Sequence, residues 1–114
     1  MSTIRIANAP CSWGSLEFEG LEGQSLTCER MLDELVETGY TGTELGDWGF
    51  MPTEPAALRS VLEVRGVTLV GAFVPVRFTD ASTHGKGVED ALRVARLLAG
   101  AASHEYAPMI ILAD

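Results

Sequence analysis

Apolar and polar positions change period several times along the 114-residue chain, and each change marks an element. Ile4-Arg5-Ile6-Ala7 alternates as a strand does, and Asn8-Ala9-Pro10 stops it. Leu16 to Gln24 has no clear period and reads as a loop. From Ser25 the spacing turns helical, with Met31, Leu32, Leu35 and Val36 on one side and Glu29, Asp33, Glu34 and Glu37 on the other. Ser25 or Thr27 can cap that helix, and Gly39 supplies the left-handed residue that ends it. A short strand, Thr41 to Leu45, comes next. A second helix starts near Thr53 with Pro55 in its first turn, carries Leu58, Val61 and Leu62, and closes at Gly66. Val67 to Val76 is almost continuously apolar, as in a strand buried on both faces, and Phe73 within it is expected in the core, with a ligand contact as the alternative. Phe78 to Gly87 reads as a loop, and a third helix is expected over Val88 to Ala102, with Val88, Ala91, Leu92, Ala95, Leu98 and Ala99 as its apolar positions. Met109 to Asp114 is a last aliphatic strand.

The resulting order, β-α-β-α-β-α-β, argues for an α/β fold with a parallel sheet and right-handed crossovers. No linker or low-complexity stretch interrupts it, so residues 1–114 are expected to form a single domain. Two architectures compete. A doubly wound sheet could be complete at this length, but no GxGxxG follows the first strand and no GxxxxGK[ST] occurs. A barrel spends about 30 residues on each βα unit. Four strands and three helices would then be the first half of a (β/α)8 TIM barrel. A last strand with no helix behind it leaves apolar surface uncovered, which fits the half-barrel better.

Composition narrows the partners. Hydrophobic residues make up 46% of the chain, enough for a packed core. Sixteen acids against eight Lys and Arg give a net charge of −8, a field that repels nucleic acid and anionic membrane surfaces. No apolar run approaches the ~20 residues of a membrane span, and the N-terminus lacks a signal-peptide pattern. Cys11 and Cys28 lack CxxC spacing, so reduced thiols in a cytoplasmic protein are expected.

The candidate chemistry lies at strand ends. Gly39-Tyr40-Thr41-Gly42-Thr43-Glu44-Leu45-Gly46 runs into Asp47-Trp48-Gly49. Glu44 sits inside an otherwise apolar strand, and with Asp47 it could accept hydrogen bonds from substrate hydroxyls at the barrel face where such sites are built. The alternative is a pair of solvated acids. Trp13 and Trp48 could form an apolar wall against a ring, or simply pack their loops. Ser12 follows the first strand at the same end. No histidine lies near Cys11 or Ser12 in sequence, so a nucleophilic role has no support. His84, in the loop after the third strand, could reach the same face or be solvated, and neither His84 nor His104 has a partner at metal-ligand spacing. The expected substrate-side set is therefore Glu44, Trp13, Asp47, Trp48, Ser12 and His84, with no catalytic residue and no metal ligand assigned.

Ala9-Pro10-Cys11-Ser12-Trp13-Gly14, the Gly39–Gly46 run, Gly66-Val67-Thr68-Leu69-Val70 and Phe73-Val74-Pro75-Val76 carry a resemblance. Together they resemble the N-terminal half of the xylose isomerase-like sugar phosphate isomerase/epimerase family, most of all its inosose dehydratase branch. The resemblance implies a TIM barrel that binds a divalent metal (manganese, cobalt or magnesium) and acts on a polyol or ketose. The implied chemistry is proton abstraction next to a carbonyl, followed by water loss or reprotonation. The family's metal-binding Glu, Asp, His and Glu come from strands five to eight. A chain ending at strand four is thus expected to lack them, to bind no metal tightly alone, and to contribute substrate-side residues only. The expected partners are a small polyol or sugar and either a missing C-terminal half-barrel or a second copy of the chain. The rival to the enzymatic reading is a non-catalytic half-barrel that self-associates as a structural or binding module.

Overall fold

The computed structural model describes residues 4–14 and 26–114. The expected loop from Leu16 to Gln24 and the candidate cap Ser25 lie outside them. Four strands, β1 (Ala7–Asn8), β2 (Gly42–Glu44), β3 (Thr68–Pro75) and β4 (Met109–Ala113), form one sheet. Helices α1 (Cys28–Glu37), α2 (Pro55–Glu63) and α3 (His84–Ala101) alternate with them. All pairings are parallel and the order is β1-β2-β3-β4. A doubly wound sheet reverses its strand order at a switch point. The described strands do not, and the sequential order is that of part of a TIM barrel.

Local chemistry accounts for the helix ends. Thr27 caps α1 by accepting from the Arg30 amide, and Gly39 (φ 97°) turns the chain beyond it. Pro55 opens α2 after Glu54, whose carboxylate accepts from the Ala56 and Ala57 amides. The α1 face that meets the sheet is Cys28, Met31, Leu32 and Leu35, a clean i, i+3, i+4, i+7 stripe. Val36, expected on that stripe, is turned away from the core and exposed, and Cys28 takes the fourth place. In α3 the stripe is likewise rotated. Val94, Leu97, Leu98 and Ala101 are buried, while Val88 and Leu92 are 58% and 47% exposed.

Helix α3 begins four residues earlier than expected. The Asp80 carboxylate accepts from the Ser82 amide and hydroxyl, and Thr83 Oγ1 donates to the Asp80 carbonyl, winding Ala81–Thr83 into a 3-10 turn that feeds the helix. The first strand also differs. Pairing starts only at Ala7, because Ile4–Ile6 run ahead of the start of β2, and Asn8 belongs to the strand instead of stopping it.

The decisive irregularity lies between β2 and β3. Thr43 pairs with Leu69 but Glu44 pairs with Gly71, so Val70 is one residue extra on β3. The bulge resets the alternation. Leu69, Ala72 and Val74 join the core beneath the helices, and Phe73 moves to the opposite, open face at 52% exposure. The expectation of Phe73 in the core is therefore overturned by one inserted residue. Gly71 allows it, since a Cβ there would lie 2.6 Å from the Met109 carbonyl oxygen of β4.

Gly71→Ala should therefore destabilise the chain by about 1–3 kcal/mol, because backbone must shift to admit the methyl group. Gly85→Ala, at a helical glycine with open space around its missing Cβ, should be neutral or stabilising by up to about 1 kcal/mol. Urea denaturation of both variants separates the two signs.

Candidate functional site

The loops after β1 and β2 meet at the carboxyl ends of their strands. After β1 the chain turns at Pro10–Trp13, with Ser12 Oγ donating to Asn8 Oδ1 at 2.6 Å and the Ala9 amide donating to the same oxygen at 2.8 Å. Pro10 is buried against Gly46: a Cβ on Gly46 would fall 2.7 Å from Pro10 Cγ, and φ there is 75°. Only glycine fits both demands. The two segments singled out in the sequence thus touch through Pro10 and Gly46.

Glu44 ends β2 on the open face of the sheet, beside Gly71 in the neighbouring strand. That face also carries Phe73, Met109 and Ile111, and no described element covers it. Glu44 is half-buried, and among the described residues its carboxylate has no hydrogen-bond or ion-pair partner. A carboxylate in that position can accept two or more hydroxyl hydrogen bonds from a ligand.

Asp47 and Trp48 occupy a tight turn after β2, closed by the Phe50 amide donating to the Asp47 carbonyl at 3.1 Å, with Gly49 at φ 96°. Asp47 is exposed. The face of the Trp48 indole is covered by the Arg93 guanidinium of α3, 4.1 Å from the ring centroid. Leu45, Asp47, Trp48, Phe73, Asp90 and Arg93 help line a groove of about 340 Å³ there. In α3, Asp90 bonds Lys86 Nζ at 2.7 Å and lies 3.7 Å from Arg93. The Lys86 hydrogen bond holds the Asp90 carboxyl below the usual carboxylate range.

Trp13 is placed differently from Trp48. It packs against the core, and its indole Nε1 donates to Glu34 Oε2 of α1 at 2.9 Å. Glu34 is held in turn by Arg30 at 3.3 Å. His84, expected in a loop, is the first residue of α3 because the Asp80 turn winds the chain into the helix early. Its Nε2 lies 3.0 Å from the Phe78 carbonyl oxygen, to which it can donate. The structure therefore brings Ser12's loop, Glu44, Asp47 and Trp48 to one edge of the sheet, and commits Trp13 and His84 to partners of their own. The reasoning from sequence missed Lys86, Asp90 and Arg93, whose i, i+4, i+7 spacing on α3 was visible but gave no hint of the loop they face.

Among the described residues no three His, Cys, Asp or Glu side chains group so as to hold a metal ion. These residues alone do not form the metal site that the resemblance implies. No described helix is long and apolar enough to cross a membrane.

Comparison with known proteins gives a consistent answer. The chain is 35% identical over 82 residues to the inosose dehydratase of Geobacillus kaustophilus, a match covering 72% of this chain and 26% of that protein. It is 30% identical over 77 residues to the inosose dehydratase of Serratia proteamaculans, covering 68% and 25%. It is 36% identical over 73 residues to the rhizopine catabolism protein MocC of Rhizobium meliloti, covering 64% and 22%. These matches support the inosose dehydratase branch of the xylose isomerase-like superfamily. Its matches span about a quarter of the length of these curated relatives. No family model matches the chain, and no solved structure matches it significantly.

The two thiols of this inosose dehydratase-like chain differ in exposure. Burial, reinforced by a hydrogen bond with Glu29, pushes the Cys28 thiol up to about 11, whereas Cys11 is exposed. At pH 8 iodoacetamide should modify Cys11 and spare Cys28 until the chain unfolds. A raised folded-state value stabilises below the unfolded one, so stability should fall as pH rises from about 8.5 through about 11. Mass spectrometry and alkaline melts read both effects.

Proposed function

We propose that this chain forms the substrate-side wall of a cytoplasmic enzyme acting on an inosose or a similar cyclic polyol ketone. The similarity to inosose dehydratases carries the substrate class. The half-buried carboxylate of Glu44, without a partner among the described residues, at the open end of a parallel strand supports the residue assignment. The reaction is proton abstraction next to a carbonyl followed by loss of water or reprotonation. In it Glu44 and Asp47 accept hydrogen bonds from ring hydroxyls, fixing the orientation of the ring. Trp48 limits the groove on one side, and Ser12 shapes the neighbouring loop. Trp13 and His84 act at one remove, by holding the β1 loop on α1 and the start of α3. No role proposed here depends on a divalent metal.

Titration of the 114-residue chain with inosose, followed by NMR, tests this reading. Glu44→Gln should weaken binding about ten-fold or more, the value of a hydrogen bond to a charged group. Glu63→Gln, exposed at the end of α2, should leave it within two-fold, or about 0.4 kcal/mol. Equal affinities for wild type and Glu44→Gln would remove Glu44 from the site.

A second reading is favoured by the exposed apolar flanks. Ile4, Ile6 and Val36 lie bare on the β1 side, and Val88, Leu92, Met109, Ile111 and Leu112 on the β4 side. Two copies related by a twofold along the strands would join β4 of each to β1 of the other, closing eight parallel strands. This predicts a dimer by analytical ultracentrifugation that Ile111→Lys dissociates. A monomer with these flanks bare would refute it.

A further inference from the structure

The turn that carries Asp47 and Trp48 is hinged at both ends. Gly46 and Gly49 have φ of 75° and 96°, and the intervening residues are exposed. A loop with two glycine hinges and little burial swings freely unless something holds it. At the Gly46 end the holding contact is Pro10. Beyond Gly49, Phe50 packs against the core and Met51 is buried in it, and the indole between the hinges is held by α3, with Arg93 Cζ over the Trp48 ring 4.1 Å from its centroid. Arg93 is itself oriented, because Asp90 lies 3.7 Å away one helical turn earlier. Asp90 is anchored in turn by Lys86 at 2.7 Å.

We propose that Arg93 is a positioning residue, which clamps Trp48 to α3 and thereby fixes the Asp47–Trp48 turn at the mouth of the groove. The polyol part of this inference rests on the function proposed above; the clamp does not. The arrangement suits the task. Trp48 is 38% exposed and lines the groove beside Leu45, Ala72, Val74 and Val94, and the cation–π contact covers its outer face. Asp47 precedes Trp48 directly, so the ring's position sets where that carboxylate points. Lysine at 93 would keep the charge but lose the planar stacking of guanidinium on indole. Glutamine would lose the charge.

The clamp is read by fluorine NMR on the full 114-residue chain labelled with 5-fluorotryptophan. The two indoles give two signals, assigned with Trp13→Phe. An exposed cation–π contact biases a local closed state about two- to five-fold. Arg93→Gln should therefore move the Trp48 signal toward its unfolded position and raise its solvent-isotope shift, with the Trp13 signal unmoved. Arg93→Lys should restore part of the difference, and Asp90→Asn should give an intermediate shift. An unchanged Trp48 signal in Arg93→Gln overturns the proposal, as does an equal shift of Trp13, which would mean a general loosening. Inosose titration of the same samples separates the two layers. Weaker binding in Arg93→Gln than in Arg93→Lys supports positioning, whereas equal binding in the two overturns it. Absence of any inosose effect in the wild type overturns the function proposed above while leaving the clamp to be judged by the Trp48 signal alone.

Discussion

One extra residue on β3 decides what this fold can present. A parallel strand buried on both faces would place Leu69, Gly71 and Phe73 together on one side. With Val70 bulged, Leu69 stays beneath the helices, and Ala72 and Val74 follow it there. Phe73 is released to the open face where Glu44 ends its strand. Gly71 makes this possible because no side chain fits between it and the Met109 carbonyl. The bulge thus joins two properties that would otherwise be separate, namely a helix-side core and an open face carrying an apolar ring beside a carboxylate that has no partner among the described residues. Bulges of this kind redirect side chains next to functional sites.

The loops above that face are held by contacts to helices. Trp13 hands its indole N–H to Glu34 on α1, and Trp48 lies under Arg93 on α3. Pro10 against Gly46 ties the two loops to each other. Similar residues therefore do different work. One indole is part of the core and its partner network, and the other stands at a groove on a hinged turn. The helices contribute to the site indirectly, through the face that points at the loops.

Much of this was legible in the sequence. The βα alternation, the cap at Thr27, the stop at Gly39 and the end of α2 near Gly66 follow from local rules that tertiary contacts did not override. The stretch from Gly39 to Trp48 was recognisable because acids and an indole at a strand end make poor core material. What escaped has physical causes. The side that a stripe presents is set by what covers it, so Val36, Val88 and Leu92 read as core although they are exposed. A bulge leaves no trace in hydrophobic periodicity except its glycine, and Gly71 inside an apolar run was that trace. The early start of α3 depends on Asp80 bonding Ser82, a side-chain effect that pattern counting ignores. The Arg93 clamp joins residues 45 positions apart, which no local signal connects.

The register of β2 on β3 is the premise behind the open face, Glu44 and Phe73 alike. Nuclear Overhauser contacts across the strands test it most directly. The bulged register puts the Gly71 α-protons beside the Ile111 δ1 methyl group, since a Cβ on Gly71 would lie 3.4 Å from that carbon. It also makes the Leu45 amide, 2.9 Å from the Gly71 carbonyl oxygen, slow to exchange. Those contacts, together with one from Glu44 to Gly71, are the expected result. Contacts from Glu44 to Val70 instead, with the Phe73 ring among the α3 side chains, would mean an unbroken strand and would contradict the account.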